Sequence, residues 1–100
     1  MLATREGRFR ELLEVFLTSA QKREDLLRGL PWEDEDKRRY EFQLSSLRKF
    51  LVREGMKDVT PHEIAGWLRA IRGDRVSITP TTVKGKPVRL WYVPSDAAKA

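Results

Sequence analysis

The sequence predicts a small α+β domain, mostly α. Apolar residues recur at helical spacing through the N-terminal half, several local signals agree on one helix start near residue 60, and two β-type segments flank a Gly-containing turn near the C-terminus. One hundred residues, 40% of them hydrophobic, suffice for one modest core and are too few for two independent ones.

From Arg5 to about Leu30, the residues Phe9, Leu12, Leu13, Phe16, Leu17 and Ala20 lie at helical spacing, continued by Leu26, Leu27 and Leu30. One long helix or two short ones fit, with Thr18-Ser19 offering a break and Gly29 followed by Pro31 ending the stretch. Trp32-Glu33-Asp34-Glu35-Asp36 then reads as the start of a helix running through Glu54, with Asp34 as cap and Trp32 as staple. Acids in a first helical turn complement the macrodipole, and that reading outranks a metal site. In this segment Tyr40, Leu44, Leu47 and Leu51 form a core stripe with Phe50 beside it, and Gly55 closes the helix. Arg38, Arg39, Arg48, Lys49 and Arg53 fall to the solvated surface.

The clearest local signal is Val59-Thr60-Pro61-His62-Glu63-Ile64. Thr60 and Glu63 can form a reciprocal capping box, Pro61 fits the first helical position, and Val59 can staple against Ile64. The helix is expected to run to about Arg72, burying Ile64, Trp67, Leu68 and Ile71, with Gly73 as its stop. His62, Gly66, Arg69 and Arg72 are left on the other face, where Arg69 and Arg72 are neighbours and Gly66 keeps the surface low.

Arg75 to Val83 and Pro87 to Val93 read as two strands joined at Lys84-Gly85-Lys86, a hairpin with a basic tip. Pro80 and Pro87 each imply a bulge or an edge, because proline cannot donate to a ladder. In the second strand Val88, Leu90 and Tyr92 share one face, and Arg89, Trp91 and Val93 the other.

Charge points to a partner. Twenty Lys and Arg against fifteen Asp and Glu give +5, and the excess is uneven, with residues 1–50 carrying net +1 and residues 51–100 net +4. Within 60–93, Arg69, Arg72, Arg75, Lys84, Lys86 and Arg89 face only Glu63 and Asp74. Catalysis has little to stand on. His62 is the sole histidine, there is no cysteine, and Ser45-Ser46 lie mid-helix with no histidine near in sequence. No phosphate loop is present, so the sequence reads as a non-enzyme without metal, cofactor or small-molecule substrate. No apolar run approaches a membrane span or a signal peptide, which predicts a cytoplasmic protein.

Helix, helix, capped short helix and basic-tipped hairpin is the order of a winged helix-turn-helix, in which the last helix enters the major groove and the wing touches flanking phosphates. The domain then spans 1–94: a helical extension over 1–55, recognition helix and wing over 56–94, and a flexible tail over 95–100. The stretch Thr60-Pro61-His62-Glu63-Ile64-Ala65-Gly66-Trp67-Leu68-Arg69, followed by Ile78 to Tyr92 with Lys84-Gly85-Lys86, resembles the winged-helix C-terminal module of phage and plasmid primase-helicase replication proteins. The likeness covers residues 60–93. Neither a Walker loop nor a polymerase carboxylate cluster is present, so the resemblance implies an accessory module in DNA replication, with another replication protein as a further partner.

Duplex DNA is the partner the charge and order favour. His62, Arg69 and Arg72 are candidates for the groove, with Arg75, Lys84, Lys86 and Arg89 for phosphates. Trp91 completes the set as a base-stacking candidate, although burial is its first reading. A winged-helix transcriptional regulator is the runner-up. A protein adaptor without DNA binding, its arginines paired to acids, is the remaining alternative.

Overall fold

The computed structural model describes residues 4–98. It is an α+β fold in which an antiparallel sheet separates two apolar cores of unequal size. In chain order the elements are α1 (Arg5–Leu17), a 3₁₀ turn (Arg23–Arg28), β1 (Trp32–Asp34), β2 (Arg39–Gln43), α2 (Leu44–Arg53) and α3 (Pro61–Ala70). They continue with β3 (Asp74–Arg75), β4 (Thr81–Val83), β5 (Lys86–Val88), β6 (Leu90–Pro94) and a second 3₁₀ turn (Ser95–Ala98). The four-stranded sheet has the order β1-β2-β6-β3, and β4-β5 is a separate hairpin.

α1 starts where the side chain of Thr4 accepts the Gly7 amide at 2.9 Å, and it ends at Thr18, the break expected from Thr18-Ser19. The chain then turns at Gly29, whose φ of 85° is left-handed and suits glycine. The 3₁₀ turn is fixed by buried Asp25, whose carboxylate accepts the Lys22 amide at 3.3 Å. Phe9 stacks on Trp67 of α3 with ring centroids 5.0 Å apart, and Phe16 meets Phe42 of β2 edge-on at 5.9 Å. These contacts dock α1 across the helices and the sheet, and each large side chain so buried contributes about 1.5–3 kcal/mol.

The single helix expected through Glu54 is instead a β-hairpin followed by a shorter helix. Trp32–Asp34 pairs with Arg39–Gln43 in the register Trp32↔Glu41, Glu33↔Tyr40, Asp34↔Arg39. Asp34 does not cap a helix; its Oδ1 accepts the Lys37 amide at 3.1 Å and closes the connecting turn, with Arg38 at φ 53°. Tyr40 therefore belongs to a strand, and the helical stripe begins at Leu44. The period misleads here because Phe42 and Tyr40 alternate as strand residues while Leu44, Leu47 and Leu51 continue at helical spacing. Trp32 is not a helix staple; it packs in the smaller core beneath the Arg23 guanidinium, 5.7 Å from its ring.

At α3 the capping box forms as expected. The Thr60 hydroxyl accepts the Glu63 amide at 3.1 Å, and Glu63 Oε1 accepts the Thr60 amide at 3.2 Å. Val59 and Ile64 are both fully buried in the larger core. The helix stops at Ala70, short of Arg72. Arg72 takes the left-handed conformation at φ 70° in place of Gly73. Gly73 is needed for another reason. Its amide donates to the Leu68 carbonyl at 2.8 Å, and an added Cβ would lie 2.6 Å from the Tyr92 carbonyl oxygen and 2.9 Å from that of Leu68.

The two long C-terminal strands are also corrected. Arg75 to Val83 is broken into β3, an exposed loop and β4, and the second strand splits at Arg89 into β5 and β6. β4 and β5 pair with each other through Thr81↔Val88, Thr82↔Pro87 and Val83↔Lys86. Lys84 and Gly85 have φ 49° and 76°, which fits a two-residue type I′ turn. β6 pairs on one side with β2 (Trp91↔Phe42, Val93↔Tyr40) and on the other with β3 (Arg75↔Trp91). The alternation read for Leu90 and Tyr92 against Trp91 and Val93 holds. Trp91 and Val93 join the larger core with α1, α2 and α3, while Leu90 joins Leu26, Val83 and Val88 in the smaller one. Ser95–Ala98 is structured as a 3₁₀ turn with Ala97 against the larger core; the tail's last two positions lie outside the described residues.

Two glycine substitutions separate these roles. Gly73→Ala is expected to lower stability by about 1–3 kcal/mol, because backbone oxygens of β6 and α3 must move. Gly66→Ala meets nothing within 4 Å and is expected to raise stability by up to about 1 kcal/mol through helix propensity. Urea denaturation of both variants checks the pair; equal midpoints refute the packing role of Gly73.

Candidate functional site

The candidate bases fall into two groups. The first lies along α3 and the strand that follows it. His62 is exposed at the second position of that helix, and Gly66 and Arg69 are exposed further along it. The Arg69 guanidinium lies 5.1 Å from the Trp91 ring and 3.7 Å from the Asp74 carboxylate. Arg75 lies over the same ring at 5.9 Å, as its cross-strand pairing with Trp91 dictates, and has no ion pair among the described residues. Arg72 leaves this group. Because α3 ends at Ala70, the spacing that would make it a neighbour of Arg69 does not apply, and its Nη2 donates to Asp96 at 2.8 Å.

Trp91 is only 7% exposed, and its ring belongs to the larger core with two guanidinium groups against it. Stacking on a base needs an open π-face. The structure therefore corrects its place in the candidate set: Trp91 is a packing residue that holds Arg69 and Arg75 by cation–π attraction.

The second group is on the β4-β5 hairpin, which does not stand free. Val83 and Val88 pack with Leu26 and Leu90, and Arg23 donates to the Thr82 carbonyl at 3.4 Å. At the tip Lys84 is ion-paired with Glu24 of the first 3₁₀ turn. That ammonium, by hydrogen bond and charge, holds the Glu24 carboxyl below the usual glutamate range, and Glu24 pushes Lys84 up in turn. Lys86 is exposed with no ion pair among the described residues, and Arg89 donates from Nη1 to the Ile78 carbonyl at 3.4 Å. Ile78 itself is 89% exposed in the loop between β3 and β4.

α3 packs on the sheet face that carries Trp91 and Val93, whereas the hairpin packs on the Leu90 side. The two groups are thus on opposite faces of the sheet, linked through β3, an edge strand whose Asp74 and Arg75 are both exposed and whose next residue, Val76, packs with Val83 and Val88 of the hairpin. Sequence reading missed a cleft between α2 and the start of α3, lined by Leu44, Ser45, Arg48, Lys49 and Pro61. Arg48 helps shape it by donating from Nε to the Val59 carbonyl at 3.1 Å. The expected helix from Asp34 concealed where α2 begins, and with it which residues open toward Pro61.

Among the described residues no group of His, Asp and Glu side chains has metal-site geometry, and no helix is long and apolar enough to cross a membrane. The Glu24–Lys84 pair has a definite pH signature. Glu24 has its folded pKa depressed, so the pair's contribution is present above the unfolded glutamate value and is lost as pH falls through the lower folded one. Lys84 sets the upper limit, since its raised folded pKa means loss only as pH climbs beyond the usual lysine range. An NMR titration of the Glu24 carboxyl is expected to give a midpoint below that of an ordinary glutamate, and Lys84→Ala to return it to that range. An unchanged midpoint refutes the pairing. Comparison with protein-family models, with curated proteins and with solved structures finds no match to this chain.

Proposed function

We propose that the chain is a winged-helix module that binds duplex DNA along the β3 edge, with the exposed face of α3 toward the groove and the β4-β5 hairpin toward flanking phosphates. The observation that carries this reading is the element order together with the sheet order. α1, β2, α2, α3, β3, hairpin and β6, with β6 between β2 and β3, supports a winged-helix reading in which β1 is an addition. The replication setting, as an accessory module of a mobile-element primase-helicase protein, rests on the likeness of residues 60–93 to that family.

The ion pairs set the strength of the interaction. Arg75, Lys86 and Arg89 have no ion pair among the described residues, whereas Arg69, Arg72 and Lys84 face Asp74, Asp96 and Glu24. All three pairs are well exposed, and such pairs contribute little, so a phosphate can replace each carboxylate. With the three unpaired cations alone on phosphates, the log-log salt slope is about −3, and it steepens toward −5 only if the pairs open.

Fluorescence anisotropy with a labelled duplex at several salt concentrations tests this. Lys86→Ala and Arg75→Ala are each expected to weaken binding and to reduce the slope by about one. Gly66→Leu is expected to weaken binding without changing the slope, because it raises the surface of α3. An isotherm that barely moves with salt, or cation variants that bind like the parent, rejects the reading in favour of a protein adaptor.

A further inference from the structure

A groove of about 660 Å³ lies between the C-terminal end of α1, the end of the first 3₁₀ turn and α2, and takes no residue from α3 or the hairpin. Part of its lining is apolar: Leu27 and Phe50 are half-buried there, and Val15 is 55% exposed. Arg28, Lys49 and Arg53 are also part of the lining, and no carboxylate lines it. Lys49 and Arg53 have no ion pair among the described residues, and the Arg53 guanidinium lies 5.5 Å from the Phe50 ring. Arg28 pairs at 3.5 Å with buried Asp25 but is itself 77% exposed, leaving most of its guanidinium available.

We infer that this groove docks an acidic amphipathic segment of a partner protein, its apolar side chains against Val15, Leu27 and Phe50 and its carboxylates on Arg28, Lys49 and Arg53. Charge complementarity identifies the occupant. A lining with three cations and no anion calls for a negative ligand. The apolar part of that lining calls for side chains that a phosphodiester backbone does not have, which favours a peptide over nucleic acid. A second copy of this chain fits poorly. Its most acidic run, Glu33 to Asp36, lies in β1 and the turn after it, next to Trp32, which is packed in the smaller core. The inference is independent of DNA binding.

The test uses a fluorescein-labelled helical peptide with Leu along one face and Glu on the other, a Gln-for-Glu version and a Ser-for-Leu version. Anisotropy with the full chain is expected to show micromolar binding of the first and at least about tenfold weaker binding of either control. The double variant Lys49→Glu/Arg53→Glu should bind the acidic peptide at least about tenfold more weakly while keeping its circular dichroism spectrum. Arg75→Ala/Lys86→Ala should bind it like the parent, which separates the groove from general surface charge. Equal binding of the Ser-for-Leu peptide, or an undiminished signal in the Lys49→Glu/Arg53→Glu variant, overturns the proposal. So does loss of duplex binding in that variant when no peptide binds the parent, which assigns the groove to nucleic acid. Sedimentation that reveals a dimer abolished by Val15→Asp assigns it to a second copy and equally overturns the proposal.

Discussion

Strand β6 is the constraint on which the rest of the fold depends. It is five residues long, from Leu90 to Pro94, yet it pairs with β2 on one side and β3 on the other. It also supplies side chains to both cores. Trp91 and Val93 close the helical core, and Leu90 seats the hairpin and the first 3₁₀ turn. A one-residue slip in this strand would exchange those faces, placing Leu90 and Tyr92 among the helices and Trp91 against the hairpin. Two features prevent it. Arg89 leaves the ladder between β5 and β6, which frees β6 to take its own register. Gly73 lets the chain pass within backbone contact of Tyr92, at a distance no side chain permits.

Contacts between elements distant in sequence decide how the charge is presented. In sequence, residues 60–93 carry a clear basic excess. In the fold, Glu24 is brought to Lys84 from the N-terminal half and Asp96 to Arg72 from beyond β6, neither of which a local count includes. At the other end of α3, Arg5 of α1 holds Glu63 at 3.1 Å and Asp58 at 3.2 Å, lowering the Asp58 carboxyl below its usual range. The acids are thus distributed as clamps between elements distant in sequence. The cations left without such partners, Arg75 and Lys86 above all, are the ones with charge to offer a ligand.

What was legible in the sequence had local causes. The α3 start is decided within five residues by Thr60, Pro61 and Glu63, and no tertiary contact was needed to read it. The end of α1 at Thr18 and the turn at Gly29 were legible for the same reason. The β1-β2 hairpin was not, because its connection holds no glycine or proline and its acids suit a helix start equally well. Pairing with β1 on one side and β6 on the other gives Tyr40 and Phe42 a reason to be strand residues. Arg69 and Arg75 were identified as exposed bases, but their seating on Trp91 depends on the Arg75↔Trp91 register, which spans sixteen positions of chain.

The position of β3 has a physical logic of its own. A sheet edge exposes unpaired amides and carbonyls, and short strands bearing charge are the usual protection against unwanted pairing. β3 has only two residues, Asp74 and Arg75, both exposed, so it satisfies that requirement with no ligand at all. What edge protection does not require is Arg69 reaching from α3 to the same tryptophan, or Arg89 and Lys86 beyond the following loop. Edge protection accounts for one charged pair at the edge. Arg69 has its own cause in the Trp91 ring and the Asp74 carboxylate, while the duplex proposed above would give Arg75 and Lys86 theirs.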